Sequence, residues 1–226
     1  MSAFIIGSTG LVGAQLLKVA ANSNNFETVY TVSRRSAGGG DKVKGIVETD
    51  SDKWPDIIRE NSKGVRTFFS AFGTTRADAG GVENFKKIDY GINYECAKAA
   101  KEAGVETFVL VSSVGANESS MLFYLKSKGK LENDIIALKF PRTIIIRPGA
   151  LLGKREKSQS FANDLFQKFG AMVKGTPLKF IAYPITGEEV GKVAVHLASE
   201  PFPQDNGEVV KIVSKNELDD LVKSLE

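Results

Sequence analysis

The 226-residue chain holds a single cysteine, Cys96, a single histidine, His196, and a single tryptophan, Trp54. One cysteine cannot close an internal disulfide, so a reducing compartment suits the chain and a cytoplasmic setting is expected. One cysteine and one histidine are too few for the usual zinc ligand sets, and no metal site is expected. There is no G-x-S-x-G, so hydrolysis from a nucleophile elbow is not expected; His196, in "VAVHLA", reads as a helix residue at the edge of the core. No apolar run approaches the ~20 residues that a membrane-spanning helix needs. The first residues show no charged n-region, no cleavage site and no Arg-rich amphipathic pattern, and neither a secretory nor a transit signal is expected. Excess charge is also scarce: 30 Lys and Arg oppose 27 Asp and Glu, leaving +3. That balance does not point to nucleic acid, and no nucleic-acid partner is expected.

What is present is an ordinary globular composition, 42% apolar and 25% charged, at a length that suits one domain with a small addition. Short β-rich apolar runs recur: "AFIIG" at 3–7, "TVYTVSR" at 28–34, "KGIVETD" at 44–50, "VRTFFSAFG" at 65–73, "TFVLVSS" at 107–113, "RTIIIRPG" at 142–149 and "VVKIVS" at 209–214. Several are almost continuously apolar, the mark of strands buried on both faces of a parallel sheet. Helical spacing fills the intervals. Leu11, Val12, Leu16, Leu17 and Val19 line one side of a first helix, and "YECAKAAKEAG" is a run of good helix formers closed by Gly104. "SAGGG" at 36–40 reads as a surface loop. Strand–helix alternation predicts an α/β fold: a Rossmann-like, doubly wound parallel sheet with right-handed crossovers. Residues 1–226 are expected to form one domain, with 154–190 as a small C-terminal insertion covering the substrate side.

The first strand runs into "GSTGLVG", with Gly7, Gly10 and Gly13 at the turn into the first helix. Gly7 permits a tight turn, Gly10 lets the backbone approach a pyrophosphate, and Gly13 lets the helix pack closely on the sheet. The helix N-terminus then offers free N–H groups to phosphate. The spacing is G-x-x-G-x-x-G, and no Lys-Ser or Lys-Thr follows to make a P-loop. At the end of the second strand an NAD-specific site places an acid on the ribose hydroxyls. Here "TVYTVSRRS" has none; it has Ser33, Arg34 and Arg35. Guanidinium groups match a 2′-phosphate with paired hydrogen bonds, which predicts NADPH. Asp50, after the third strand, is placed to meet the adenine edge, or it is a turn residue.

The chemistry candidates follow a later strand. Tyr124 and Lys128 stand four apart in "FYLKSKGKLE" and so share a helix face. A nearby ammonium favours phenolate, and such a tyrosine can exchange the proton that accompanies hydride transfer to a carbonyl. The lysine can also hold ribose hydroxyls. Just upstream, Ser112 and Ser113 end a buried strand, where open α/β sheets bind ligands, and a hydroxyl there can orient a substrate carbonyl.

"GSTGLVG", "VSS", "YLKSK" and "IIIRPGALLG" together resemble the short-chain dehydrogenase/reductase superfamily, in its atypical, short extended-type branch. Within it, "SRR", "GTTR", "VSSVGA", "YLKSKG" and "RPGALLG" resemble the Tat-interactive oxidoreductase-like proteins and their fungal, mitochondria-associated relatives. The resemblance spans Ala3 to about Ser214. It implies NADPH held by Thr9, Gly10, Leu11 and Val12, by Arg34 and Arg35, by Phe72 and Gly73, and by Tyr124, Lys128 and Leu151. It implies Ser113 as the catalytic serine with Ser112 its neighbour, and a small carbonyl compound as substrate. It also implies a location on the mitochondrial outer membrane, as a peripheral protein. One departure stands out: many extended members carry Asn in the helix before the serine strand, where "KIDYGINYE" has Asp89, with Asn93 a turn later.

A second class of function competes, an NADP(H)-binding regulator or scaffold without turnover; such proteins tend to lose the Ser-Tyr-Lys set, which this chain retains. In residues 153–180, Phe161, Leu165, Phe169 and Met172 or Val173 recur at helical spacing. Lys154, Arg155, Lys157, Lys168, Lys174 and Lys179 surround that stripe. It reads either as a lid over the substrate pocket or as a face for an anionic membrane surface.

Overall fold

The computed structural model describes residues 1–74, 78–152, 185–202 and 207–225. Among them, one sheet is built from β1 (Ser2–Ile6), β2 (Thr28–Ser33), β3 (Val43–Val47), β4 (Val65–Ser70), β5 (Thr107–Val111), β6 (Arg142–Ile146) and β9 (Val209–Val213). A two-stranded piece joins β7 (Leu151–Leu152) to β8 (Ile185–Thr186). The helices are α1 (Leu11–Asn22), α2 (Trp54–Asn61), α3 (Val82–Phe85), α4 (Asn93–Glu102), α5 (Phe123–Ala137), α6 (Gly187–Ser199) and α7 (Lys215–Ser224). The large sheet runs β3-β2-β1-β4-β5-β6-β9, and every neighbouring pair is parallel. This is a Rossmann-like, doubly wound α/β fold. The order reverses between β1 and β4, which opens a crevice at the carboxyl ends of those strands.

The apolar runs look continuous because each strand serves two cores. Ala3 and Ile5 of β1 pack with Leu16, Leu17, Val190, Leu197 and Leu218 on the face covered by α1, α6 and α7. Phe4 and Ile6 pack with Ile58, Ala97, Leu131 and Ile135 under α2, α4 and α5. On this second face the rings of Tyr30, Phe4, Phe68 and Phe108 stack from strand to strand at 6.2, 5.4 and 5.3 Å, and Phe140 closes the row at 4.9 Å from Phe108. Each such pair adds ~0.5–1.5 kcal/mol beyond the area it buries. Because side chains alternate faces, a one-residue slip of any strand would break the row.

Two further features place the site. Gly187 and Gly191 seat α6 directly on α1: a Cβ would lie 2.5 Å from the Leu11 carbonyl oxygen at the first and 3.0 Å from Leu16 Cα at the second. A reciprocal Thr186–Glu189 capping box starts α6 at this spot. Residues 185–190, counted within the insertion from sequence, therefore belong to β8 and the first turn of α6. Between α3 and α4 the helix opens to π pitch over Lys86–Ile92, a rare geometry that recurs at functional sites. His196 does not pack at the core edge. Val190, Val193, Ala194, Leu197 and Ala198 fill the buried face of α6, which leaves His196 exposed, 3.7 Å from Glu200.

Candidate active site

The glycine turn leaves β1 with Gly7 at φ +80°, a left-handed conformation that suits glycine. A Cβ on Gly7 would lie 2.4 Å from the Ala71 carbonyl oxygen, so β4 also closes off this position. At Gly13 a Cβ would lie 2.0 Å from the Gly7 carbonyl oxygen. The third glycine thus presses α1 onto the turn itself. Gly10 differs: its N–H donates to the Gly7 carbonyl at 2.9 Å, and a Cβ there would meet only that oxygen, at 3.2 Å. Gly10 is the N-cap of α1 and brings no side-chain acceptor, and the first turn, Leu11 and Val12 included, holds no acid. Its N–H groups are suited to an anion. Behind the turn, the buried Thr31 hydroxyl donates to Ser8 Oγ at 2.5 Å and fixes the loop to β2.

At the end of β2, Ser33 is buried and donates to the Arg35 carbonyl at 2.7 Å, while Arg34 and Arg35 are exposed. The two arginines differ. Arg35 Nη2 donates to the Thr9 carbonyl at 3.1 Å, which ties it to the glycine turn. Asp50 lies exposed past β3, and its Oδ1 accepts from the Asp52 N–H at 3.1 Å to start a short 3-10 turn. The turn role read from sequence is therefore filled. Phe72 follows β4 and meets the Trp54 ring edge-to-face at 5.1 Å.

Next to Phe72, the structure brings Gly73, Asp89 and Lys128 together. Lys128 is buried in α5 and pairs with Asp89 Oδ1 at 2.8 Å, while Asp89 Oδ2 accepts from the Thr74 N–H at 2.7 Å. Burial pulls the Lys128 ammonium down, but Asp89, then Tyr124 and Glu132, outweigh it and hold the ammonium above the usual lysine range. Tyr124 is 39% exposed, with its ring centroid 6.0 Å from Lys128 Nζ and 6.0 Å from the Phe85 ring. Asn93 does not reach the lysine. Its Oδ1 accepts from Ser70 at 2.5 Å, and its Nδ2 donates to the Phe72 and Asp89 carbonyls at 3.0 Å each. Of the two residues in "KIDYGINYE", Asp89 is the one beside Lys128.

The two serines part company. Ser112 is buried and donates to Glu132 Oε1 at 2.5 Å; Ser113 is half-buried, with its hydroxyl 3.3 Å from the Val114 carbonyl. Glu132 also accepts from Arg147 Nε at 3.0 Å and Nη2 at 2.5 Å. That pairing holds the Arg147 guanidinium above its usual range. Glu132 and Arg147 escaped the sequence reading. A signal existed: Glu132 follows Lys128 by the same four residues that separate Lys128 from Tyr124, so it continues their helix face. Leu151 lies in β7, half-buried and paired with Ile185. The apolar and basic stripe in 153–180 lies outside the described residues.

This cleft has identifiable kin. A family model described as NAD(P)H-binding matches residues 7–201. The chain belongs to that NAD(P)H-binding family. It is 84% identical over 226 residues to "Protein FMP52, mitochondrial" of Debaryomyces hansenii, with the full length of both chains covered. It is 49% identical to the protein of that name in Candida albicans, again over all of both chains. Among solved structures it resembles MoeE5 in complex with UDP-glucose and NAD, at TM-score 0.68 and 17% identity, covering 100% of this chain and 82% of that one. It also resembles a short-chain dehydrogenase family protein from Francisella tularensis, at TM-score 0.63 and 13% identity, covering 96% and 98%. These last two likenesses concern the fold. Among the described residues, no helix is long and apolar enough to cross a membrane.

Proposed function

We propose that the protein is an NADPH-dependent oxidoreductase that reduces the carbonyl of a small substrate. The observation that carries this reading is the meeting of Gly73, Asp89, Lys128 and Tyr124 at the carboxyl edge of the sheet, next to the strand-order reversal. The residues fit a dinucleotide: Gly7 and Gly13 let the turn close tightly against β4 and α1, Gly10 leaves the outer side of the turn free of a side chain, and the first turn of α1 is uncapped. Thr9, Gly10, Leu11 and Val12 would hold the pyrophosphate. Arg34, with Arg35 braced on Thr9, would pair with a 2′-phosphate. Phe72, Gly73, Lys128 and Leu151 would line the nicotinamide side. The cofactor, when bound, supplies hydride. Tyr124 donates the proton to the carbonyl oxygen, Lys128 supplies positive charge beside it, and Ser113 orients the carbonyl. Ser112 is already committed to Glu132.

A second reading, NADP(H) binding without turnover, is favoured by one observation: the Lys128 ammonium is paired with Asp89. Two variants test the cofactor and the turnover in turn. Arg34→Ala should weaken NADPH ~10- to 100-fold, as expected from losing a charge-assisted hydrogen bond, and leave NADH unchanged by calorimetry. Tyr124→Phe should lower turnover across a panel of aldehydes, ketones and quinones by ~10²–10⁴ while NADPH affinity holds. Equal losses for both cofactors refute the arginine assignment. Undiminished turnover in Tyr124→Phe removes Tyr124 as the acid, and wild-type protein that binds NADPH and turns over nothing on the panel supports the regulator. The names of the relatives support a mitochondrial location.

A further inference from the structure

We propose that Asp89 is a positioning residue that joins the turn after β4 to the lysine of α5, so that the nicotinamide half of the dinucleotide is seated against a preset ammonium. This rests on the cofactor reading above. The two carboxylate oxygens serve two different elements: Oδ1 holds Lys128 at 2.8 Å and Oδ2 holds the Thr74 N–H at 2.7 Å. The side chain is 1% exposed, so a carboxylate here is tolerable only while both partners stay in place. Asn93 braces the same turn from behind through the Phe72 carbonyl, while also holding the Asp89 carbonyl. Phe72, Gly73 and Thr74 are thus bracketed by side chains from one helical segment. Gly73 completes the contact. A Cβ there would lie 3.0 Å from Asp89 Oδ1 and 3.4 Å from Lys128 Nζ, so glycine backbone lies directly over the ion pair.

The location assigns the ligand half. In a doubly wound sheet each half binds one mononucleotide, and the glycine turn after β1 belongs to the first. The turn after β4, Asp89 and Lys128 belong to the second, which takes the nicotinamide ribose. An amide at position 89 could still accept from Thr74, but it would present no charge to the ammonium, which is why the type of residue matters and not only its shape.

The test measures binding by calorimetry of two ligands, NADPH and adenosine 2′,5′-bisphosphate, which carries only the first half. The proteins are wild type, Asp89→Asn, Lys128→Met and the double variant. Asp89→Asn should weaken NADPH about tenfold or more, in line with a lost charge-assisted contact, and leave adenosine 2′,5′-bisphosphate within about twofold. Undisturbed fragment binding also reports that the variant is folded. The double variant should bind NADPH no more weakly than Lys128→Met, because Asp89 acts through the lysine. Equal weakening of both ligands, no weakening of either, or a full additional loss in the double variant would overturn the proposal. Wild type that binds neither ligand would overturn the cofactor reading and this proposal together, whereas the preceding outcomes leave the cofactor reading standing.

Discussion

Replacing Glu132 with Gln removes a charge without changing shape, at the point where three elements meet. The carboxylate is 2% exposed and accepts from Ser112 at 2.5 Å and from Arg147 at 2.5 and 3.0 Å. Hydrogen bonds to charged groups contribute ~1.5–3 kcal/mol each, and breaking a buried pair by losing one partner costs ~3–5 kcal/mol. Arg147 keeps 29% of its side chain exposed and can regain water, so the lower end applies and the expected loss is about 2–3 kcal/mol. For a domain of this size that is a fall in Tm of roughly 4–12 °C. Urea and thermal unfolding followed by circular dichroism measure it. Ser112→Ala, which removes one bond to that carboxylate, should cost about 1.5 kcal/mol. Replacing Glu132 and Arg147 together with Met should cost at least ~1 kcal/mol less than the two single Met variants summed, because neither charge is then left buried alone. A Glu132→Gln loss below about 1 kcal/mol, or strict additivity in the Met pair, would show that this network does not hold the site together.

The glycine turn predicts a contrast between two one-methyl changes. Gly13→Ala puts a Cβ 2.0 Å from the Gly7 oxygen, so it should lose ~1–3 kcal/mol of stability by urea titration and bind NADPH poorly; Gly10→Ala, at 3.2 Å, should unfold near wild type and still lose NADPH. The Lys128 ammonium, held above its usual range in the folded protein, stabilises fully below about pH 10.5, and that contribution is lost as pH rises through the higher folded value. Urea midpoints should therefore fall on the alkaline side in wild type and flatten in Asp89→Asn; parallel curves would place the alkaline loss elsewhere.

The sheet was legible because parallel strands buried on both faces leave near-continuous apolar runs. "TFVLVSS" and "RTIIIRPG" start with β5 and β6 and run two and three residues past their ends. The glycine turn was legible because its residues are local in the chain. What escaped depends on contacts distant in sequence. Glu132 looks like a surface helix residue until β6 brings Arg147 beside it. The partner of Lys128 comes from a helix that precedes β5, and nothing within "YLKSKG" names it. The face of His196 was misread because "VAVHLA" is apolar on both sides, and only the docking of α6 on α1 decides which residues turn inward. Helical pitch has no signature in "KIDYGINYE", so the π segment was read as plain helix.

That π segment makes the arrangement of the candidate site a matter of residue count. Each residue of an α-helix advances ~100° around the axis, so a π turn carries what amounts to an inserted residue. The α4 side is anchored in the core through Cys96, Ala97, Ala99 and Ala100. Deleting Gly91 would let the segment relax to α pitch, and everything ahead of it would swing by about 100°. Asp89 would leave Lys128, and Phe85 would leave Phe123 and Tyr124, which it now touches at 5.5 and 6.0 Å. A single in-frame codon loss could thus separate the two halves of the cleft and pull Ile88 and Tyr90 off the core under α4 and α5, and the reverse event, one codon gained, is a short evolutionary route by which a plain helix acquires such a site.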